Sequence, residues 1–195
     1  MKYQLKIIIG STRPSRKGTI VAHWFTEIAK QDTDFEIEVL DLKEINLPFM
    51  DEPEHPRLQK YVHEHTKNWS RVINEADAYV IVTPEYNFGY PATLKNALDY
   101  LTIEWKDKPM AFVSYGGVSA GTRAVQDLKL PVTTLGMMPI TEAVNIPFFT
   151  QFINDNGVFE ANGPLVQSAH AMLKRLKYWA EALKQMREKI LADKN

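Results

Sequence analysis

Apolar residues along this chain recur in two rhythms. Short runs rich in β-branched residues alternate with longer stretches in which apolar positions return every three or four residues. Leu5 to Ile9 is a run of the first kind, closed by Gly10. Such a run predicts a buried parallel strand feeding a tight turn. From Thr19 the positions Ile20, Val21, Trp24, Phe25, Ile28 and Ala29 fall at helical spacing, and the polar stretch from Lys30 to Asp34 closes that helix. Phe35 to Asp41 alternates before turning apolar, the pattern of a strand with one partly exposed face near a sheet edge.

A long connection follows. Asn46 to Arg57 carries Pro48, Pro53 and Pro56 among acidic residues, which predicts a loop passing near the ligand end of the sheet. Helix is expected to resume around Leu58, with Tyr61, Val62, His65, Trp69, Val72 and Ile73 on one side, ahead of a third strand over Asp77 to Val82. A third helix over Tyr90 to Leu101, a fourth strand over Pro109 to Tyr115 and a fourth helix over Ala120 to Leu135 continue the alternation. Met138 to Ile146 reads as a fifth strand that Pro139 interrupts, because proline cannot donate to the ladder. One apolar stripe from about Gly163 onward, through Leu165, Ala169, Met172, Leu176 and Leu183, predicts a long final helix. Five strands alternating with five helices give an α/β fold with a parallel sheet covered on both faces. With no internal repeat and no linker, residues 1–195 are expected to form a single domain.

Composition sharpens the expected partner. At 195 residues and 45% hydrophobic content the chain suits one domain with an ordinary core. Lys plus Arg number 23 against 24 Asp plus Glu, so no net field favours nucleic acid or an anionic membrane, and a small molecule is the expected ligand. The absence of cysteine removes structural disulfides, thiolate metal sites and a cysteine nucleophile together, so redox chemistry would need a bound cofactor. The leading stretch Met1 to Leu5 enters an apolar run too short for a signal core or a membrane span, and a cytoplasmic location is expected.

Three predicted strand ends carry candidate chemistry. After the first strand, Gly10-Ser11-Thr12-Arg13-Pro14-Ser15-Arg16-Lys17-Gly18-Thr19 packs hydroxyls, glycines and three cations just ahead of a helix start. Backbone N–H groups at a helix N-terminus, hydroxyl donors and a guanidinium suit a phosphomonoester. Neither the dinucleotide fingerprint nor a Walker loop is present there. After the third strand, Thr83-Pro84-Glu85-Tyr86-Asn87 combines a fixed turn with acceptors, donors and one flat aromatic face, features that suit a planar ring with polar edges. After the fourth, Ser114-Tyr115-Gly116-Gly117-Val118-Ser119-Ala120-Gly121 has glycines that let backbone amides approach a flat ligand. Ligands of open α/β sheets bind beyond the carboxyl ends of the strands, so the three loops are expected on one rim. His63 and His65 stand two apart on a predicted helix and are expected to face different directions, which argues against a shared metal; His23 and His170 are read as helix residues without partners. No Ser-His-Asp grouping or paired-carboxylate site stands out, and no catalytic side chain is assigned.

With these motifs the chain resembles the NADPH-dependent FMN reductase family of flavodoxin-like proteins, which includes quinone and azo-dye reductases. The resemblance rests on Gly10-Ser11-Thr12-Arg13, on Pro84-Glu85-Tyr86-Asn87 with Tyr90-Pro91-Ala92 and Leu94 to Asp99, and on Ser114-Tyr115-Gly116-Gly117. It implies a three-layer sandwich with strand order 2-1-3-4-5. It implies that Ser11, Arg13, Arg16, Gly18, Thr19 and Ile20 hold an FMN phosphate, and that Pro84, Glu85, Tyr86 and Asn87 with Ser114, Tyr115, Gly116 and Gly117 hold the isoalloxazine. Many members place a small hydroxyl residue where this sequence has Arg16, which leaves that cation two roles, phosphate ligand or contact to the pyridine nucleotide, with the first preferred. The activity implied is two-electron transfer from NADPH or NADH through FMN to a quinone, azo compound or free flavin. A homodimer or homotetramer is implied as well, with Tyr86, Phe88 and Tyr90 suited to the subunit boundary. A flavodoxin-type electron carrier and a flavin redox sensor are the alternatives; near-neutral charge and an arginine-rich phosphate loop weigh against the carrier.

Overall fold

The computed structural model describes residues 2–31 and 34–193. Strands β1 (Tyr3–Ile9), β2 (Phe35–Asp41), β3 (Ala78–Pro84) and β4 (Pro109–Tyr115) are followed by two short ones, β5 (Met138–Pro139) and β6 (Val144–Ile146). All pairings are parallel, in the order β2-β1-β3-β4-β5, with β6 also on β4. This is the flavodoxin-like order. The helices are α1 (Gly18–Lys30), α2 (Leu42–Ile45), α3 (Glu64–Asn74), α4 (Ala92–Asp99), α5 (Thr122–Thr134) and α6 (Gly163–Ala192). Among the described residues no helix is long and apolar enough to cross a membrane.

Successive strand side chains point to opposite faces, so one sheet serves two cores. Leu5, Ile7, Val80, Val82 and Val113 meet α1 and α6, while Ile8, Tyr79, Ile81 and Phe112 meet α3, α4 and α5. β3 and β4 are buried along their whole length, which is why their sequences run apolar rather than alternating. Burial of each large apolar side chain among them, such as Val80, Ile81 or Phe112, contributes roughly 1.5–3 kcal/mol before entropy is counted. β2, at the sheet edge, is more exposed than β3 and β4, with Phe35 and Leu40 buried, but the alternation breaks at Val39, which is exposed beside Glu38. α6 buries the expected stripe; Asn162 caps its start through the Leu165 amide at 3.0 Å, and Lys184 and Arg187 tie its far end to Asp77 at 3.0 Å each.

Four details depart from the sequence reading. The fifth strand is two strands: Ile140 still donates to the Met110 carbonyl at 2.9 Å, but the chain then swings out at Thr141 and Glu142, where Arg175 holds Glu142 at 2.9 Å, before β6 rejoins β4. Helix does not resume at Leu58. Pro56–Leu58 is one 3-10 turn, Gln59 is left-handed at φ 52°, and α3 begins only at Glu64. The cause is Glu52, whose carboxylate accepts from the Val62 and His63 amides at 2.8 and 3.0 Å and so sets the start of α3. His63 is therefore a cap residue with extended backbone, and it does not diverge from His65: the two rings stack at 5.2 Å and 7°, with His65 Nε2 3.0 Å from the Asp51 carboxylate. α2 was not foreseen; Asp41 caps it by accepting from the Lys43 amide at 2.9 Å. Asp32 and Thr33 of the polar break after α1, and Met1 of the leading stretch, lie outside the described residues.

Candidate functional site

Because every strand is parallel, the loops after β1, β3, β4 and β6 reach one rim. They line a single cavity of about 470 Å³, within the size range of small-molecule sites.

The first wall is the loop from Gly10 to α1. Its root is fixed by backbone: the Gly10 amide donates to the Val82 carbonyl at 2.9 Å, and Thr93 Oγ1 donates to the Gly10 carbonyl at 2.9 Å. Ser11 is fully buried, and its hydroxyl lies 2.5 Å from the Tyr86 hydroxyl. Arg13 and Lys17 are exposed, with the Arg13 guanidinium 5.9 Å from the Tyr86 ring centre. Arg16 behaves differently. Its Nη atoms form a fork on Asp41 at 2.7 and 2.6 Å, one of them also donates to the Ser11 carbonyl at 2.7 Å, and the side chain is only 8% exposed. The first turn of α1 holds no acidic residue, and Lys17 at its cap makes no side-chain hydrogen bond to it. This end therefore presents positive charge and helix-start amides to an anion.

The second wall is the turn after β3. Tyr86 and Gly89 exchange two backbone hydrogen bonds, 2.9 and 3.0 Å, around Asn87 and Phe88, both with positive φ, 50° and 73°. That is the mirror-image hairpin turn, in which a phenylalanine is unusual. Arg123 stabilises it: its guanidinium lies 3.7 Å from the Phe88 ring centre while its Nε donates to Glu85 at 2.7 Å. Ser119 donates to the other Glu85 oxygen at 3.0 Å. Burial alone would disfavour the charged Glu85, but the hydrogen bonds and charge of Arg123 and Ser119 prevail and hold its carboxyl below the usual range.

The third wall is Tyr115 with Gly116 and Gly117. The Tyr115 ring is buried against Phe149 at 4.9 Å, and burial pushes its phenol above the usual tyrosine range. Gly121, at φ 79°, closes this loop; a Cβ there would stand 2.9 Å from the Tyr115 carbonyl oxygen. The fourth wall, Phe148, Phe149 and Thr150, was not foreseen. The Gly116 amide donates to the Ile146 carbonyl at 3.2 Å, and the Phe148 and Phe149 amides donate to the Gly117 and Gly116 carbonyls at 3.1 and 3.3 Å. The aromatic pair directly after a strand end was the available signal.

Of the residues singled out in the sequence, Ser11, Arg13, Arg16, Pro84, Glu85, Tyr86, Tyr115, Gly116 and Gly117 line the cavity. The others stand around it. Gly18 packs against the Tyr115 hydroxyl, and Ser114 is buried with its hydroxyl donating to Asn145 at 3.0 Å. Asn87 forms the exposed turn, while Thr19 and Ile20 line a separate cavity of about 570 Å³ beside Trp24 and Phe159.

Residues 4–151, which hold all four walls, match the NADPH-dependent FMN reductase family. The chain belongs to that family. With it, the protein belongs to the FMN-dependent NAD(P)H oxidoreductases. It is 46% identical over 125 residues to an NAD(P)H-dependent FMN reductase of Schizosaccharomyces pombe, a match covering 63% of this chain and 62% of that protein. It is 36% identical over 156 residues to one from Saccharomyces cerevisiae, covering 74% and 81%. An FMN-dependent NADPH-azoreductase of Staphylococcus saprophyticus is 28% identical over 130 residues, covering 66% and 69%. Among solved structures, the flavoenzyme NAD(P)H:acceptor oxidoreductase of Paracoccus denitrificans superposes with a TM-score of 0.72 over 92% of this chain and 98% of its own, at 23% identity, a likeness of fold.

The reductase cavity fits FMN on its own chemistry. One end offers hydroxyl, guanidinium and helix-start amides for a phosphate dianion; the other offers aromatic and glycine surfaces for a flat ring. Among the described residues the one carboxylate on its lining, Glu85, is turned to Arg123 and Ser119.

Proposed function

We propose that this reductase holds FMN in the rim cavity and passes two electrons from NADPH or NADH to small oxidised acceptors such as quinones, azo compounds or free flavin. The observation that carries the reading is the meeting, in one cavity, of an anion-binding loop and an aromatic, glycine-lined slot. FMN, when bound, supplies the hydride chemistry. The chain supplies position and field. Ser11, Arg13 and the first amides of α1 would take the phosphate; Pro84 to Tyr86, Tyr115 to Gly117 and Phe149 would hold the ring and exclude water from one side. The Gly117 amide, beside the Gly116 amide that is bonded to Ile146, would favour negative charge on the ring's polar edge. No side chain is assigned a proton transfer. Glu85 is tied to Arg123, and the Tyr115 phenol is pushed away from neutral-pH ionisation by burial, which support that reading.

A homodimer or homotetramer is part of the proposal, supported by the exposed Phe88 and Phe148 beside the cavity, 64% and 49% accessible. So is a cytoplasmic location, where reduced pyridine nucleotide is supplied. The two cores share one sheet, which supports reading residues 1–195 as one domain.

The test is flavin uptake followed by reduction. Purified protein is expected to take up FMN stoichiometrically, to prefer it over riboflavin, and to be reduced directly by NADPH or NADH in stopped flow with reoxidation by a quinone. Failure to bind FMN sinks the proposal. Flavin reduction that requires a second protein would turn it toward an electron carrier.

A further inference from the structure

Asp41 places a carboxylate where the proposed phosphate site should least tolerate one. Strand register sets it opposite Ile9, two residues before Ser11, at the mouth of the anion-binding loop. A bare carboxylate there would repel a phosphate dianion. It is not bare: it accepts two hydrogen bonds from the Arg16 fork and one from the Lys43 amide, and the pair is largely buried, with side-chain exposures of 8% and 18%. Arg16 is thereby neutralised as a charge, and its remaining contact is to the Ser11 carbonyl at 2.7 Å. It grips the backbone of a residue that lines the cavity and whose hydroxyl meets that of Tyr86. Arg13 and Lys17, by contrast, are exposed.

We propose that Arg16 and Asp41 form one positioning unit that fixes Ser11 and the start of the phosphate loop, and that Arg16 contributes to FMN binding through this unit rather than as a phosphate ligand. The inference rests on the FMN reading above. Planar, bidentate geometry is essential to it, since one guanidinium must serve a carboxylate and a carbonyl together; a lysine ammonium at this position keeps the charge but lacks the fork. Asp41 joins the site as a residue 25 positions from its partner.

The two roles for Arg16 predict opposite signs. If Arg16 were a phosphate ligand restrained by Asp41, removing the carboxylate's charge would release the guanidinium and tighten FMN binding. If the pair positions the loop, the same change loosens it. Dissociation constants for FMN and for riboflavin, which lacks the phosphate, are to be measured by flavin fluorescence on the wild type, Asp41→Asn, Arg16→Lys and the double variant. Asp41→Asn keeps shape and an acceptor for Lys43. Each single variant is expected to weaken FMN binding roughly tenfold, in the range of a lost charged hydrogen bond, and to leave riboflavin binding unchanged. The double variant is expected to be no weaker than the weaker single one, as for residues acting together. An Asp41→Asn protein that binds FMN as tightly as the wild type, or more tightly, overturns the proposal. Should Asp41→Asn fail to fold, Arg16→Lys decides: wild-type FMN affinity in that variant overturns it equally. A wild type with no preference for FMN over riboflavin would instead overturn the phosphate-site reading itself.

Discussion

Gly18 and Tyr115 show how a single atom governs the phosphate end of the cavity. A Cβ on Gly18 would collide with the Tyr115 hydroxyl, and that ring is 4% exposed and backed by Phe149, so it has little room to retreat. Gly18→Ala is expected to cost about 1–3 kcal/mol of stability, as overpacking of a buried contact does, and to weaken FMN binding by disturbing the start of α1. Removing the hydroxyl relieves the clash. In a Tyr115→Phe background the same glycine substitution should therefore cost markedly less, and a double-mutant cycle read by urea denaturation checks it. Equal costs in both backgrounds would refute the contact as the cause. At this scale the sequence showed which residue types assemble at the rim, because hydroxyls, glycines and arginines ahead of a helix have local meaning. It did not show their partners: Ser11 meets Tyr86 across 75 positions, and Glu85 meets Arg123 across 38.

Elements were legible where one physical signal governed them and misread where a distant side chain intervened. β1, β3 and β4 follow from apolar runs bounded by turns, and α6 from its stripe. The start of α3 does not, because Glu52, ten residues ahead of Val62, supplies the acceptor for the Val62 and His63 amides just ahead of the helix. Burial works against its ionisation, yet donors of the α3 start outweigh it and hold the carboxyl below the usual range. Glu52→Gln is expected to cost about 1 kcal/mol, the net worth of a hydrogen bond, and to speed hydrogen exchange at the Val62 and His63 amides while leaving β3 protected. In the wild type this contribution is present above the ordinary carboxyl pKa and fades as pH falls through the lowered native value. Uniform exchange across both proteins would argue that α3 starts for another reason. β5 and β6 make the same point, since the Arg175 contact of Glu142 and the β4 ladder on either side decide the break that Pro139 only hinted at.

Across the whole molecule, the sheet separates a functional rim from a stabilising base. At the base, Lys108 is 4% exposed and donates to the Ile73 and Asn74 carbonyls at 2.9 Å each, linking β4 to the end of α3. Burial, assisted by the positive charge of Arg187, pulls its ammonium from 10.5 down to about 7, against the opposing pull of Asp77 and Glu104. Between those two values the unfolded chain binds the extra proton, so stability is expected to rise with pH across that window and to be lowest below it. Lys108→Met should flatten that slope in urea midpoints measured across the window, without changing FMN affinity, because the site lies at the other end of the strands. An unchanged slope would assign the pH dependence elsewhere. The sequence by itself determined the alternating α/β order, the rim as the place of binding and the residue types of three of its walls, since periodicity and turn chemistry act over a few residues. The tertiary structure alone decided that Phe148 to Thr150 form a fourth wall, that Glu52 starts α3, and that Arg16 is held by Asp41, because those contacts join segments that only the folded sheet brings within hydrogen-bonding distance.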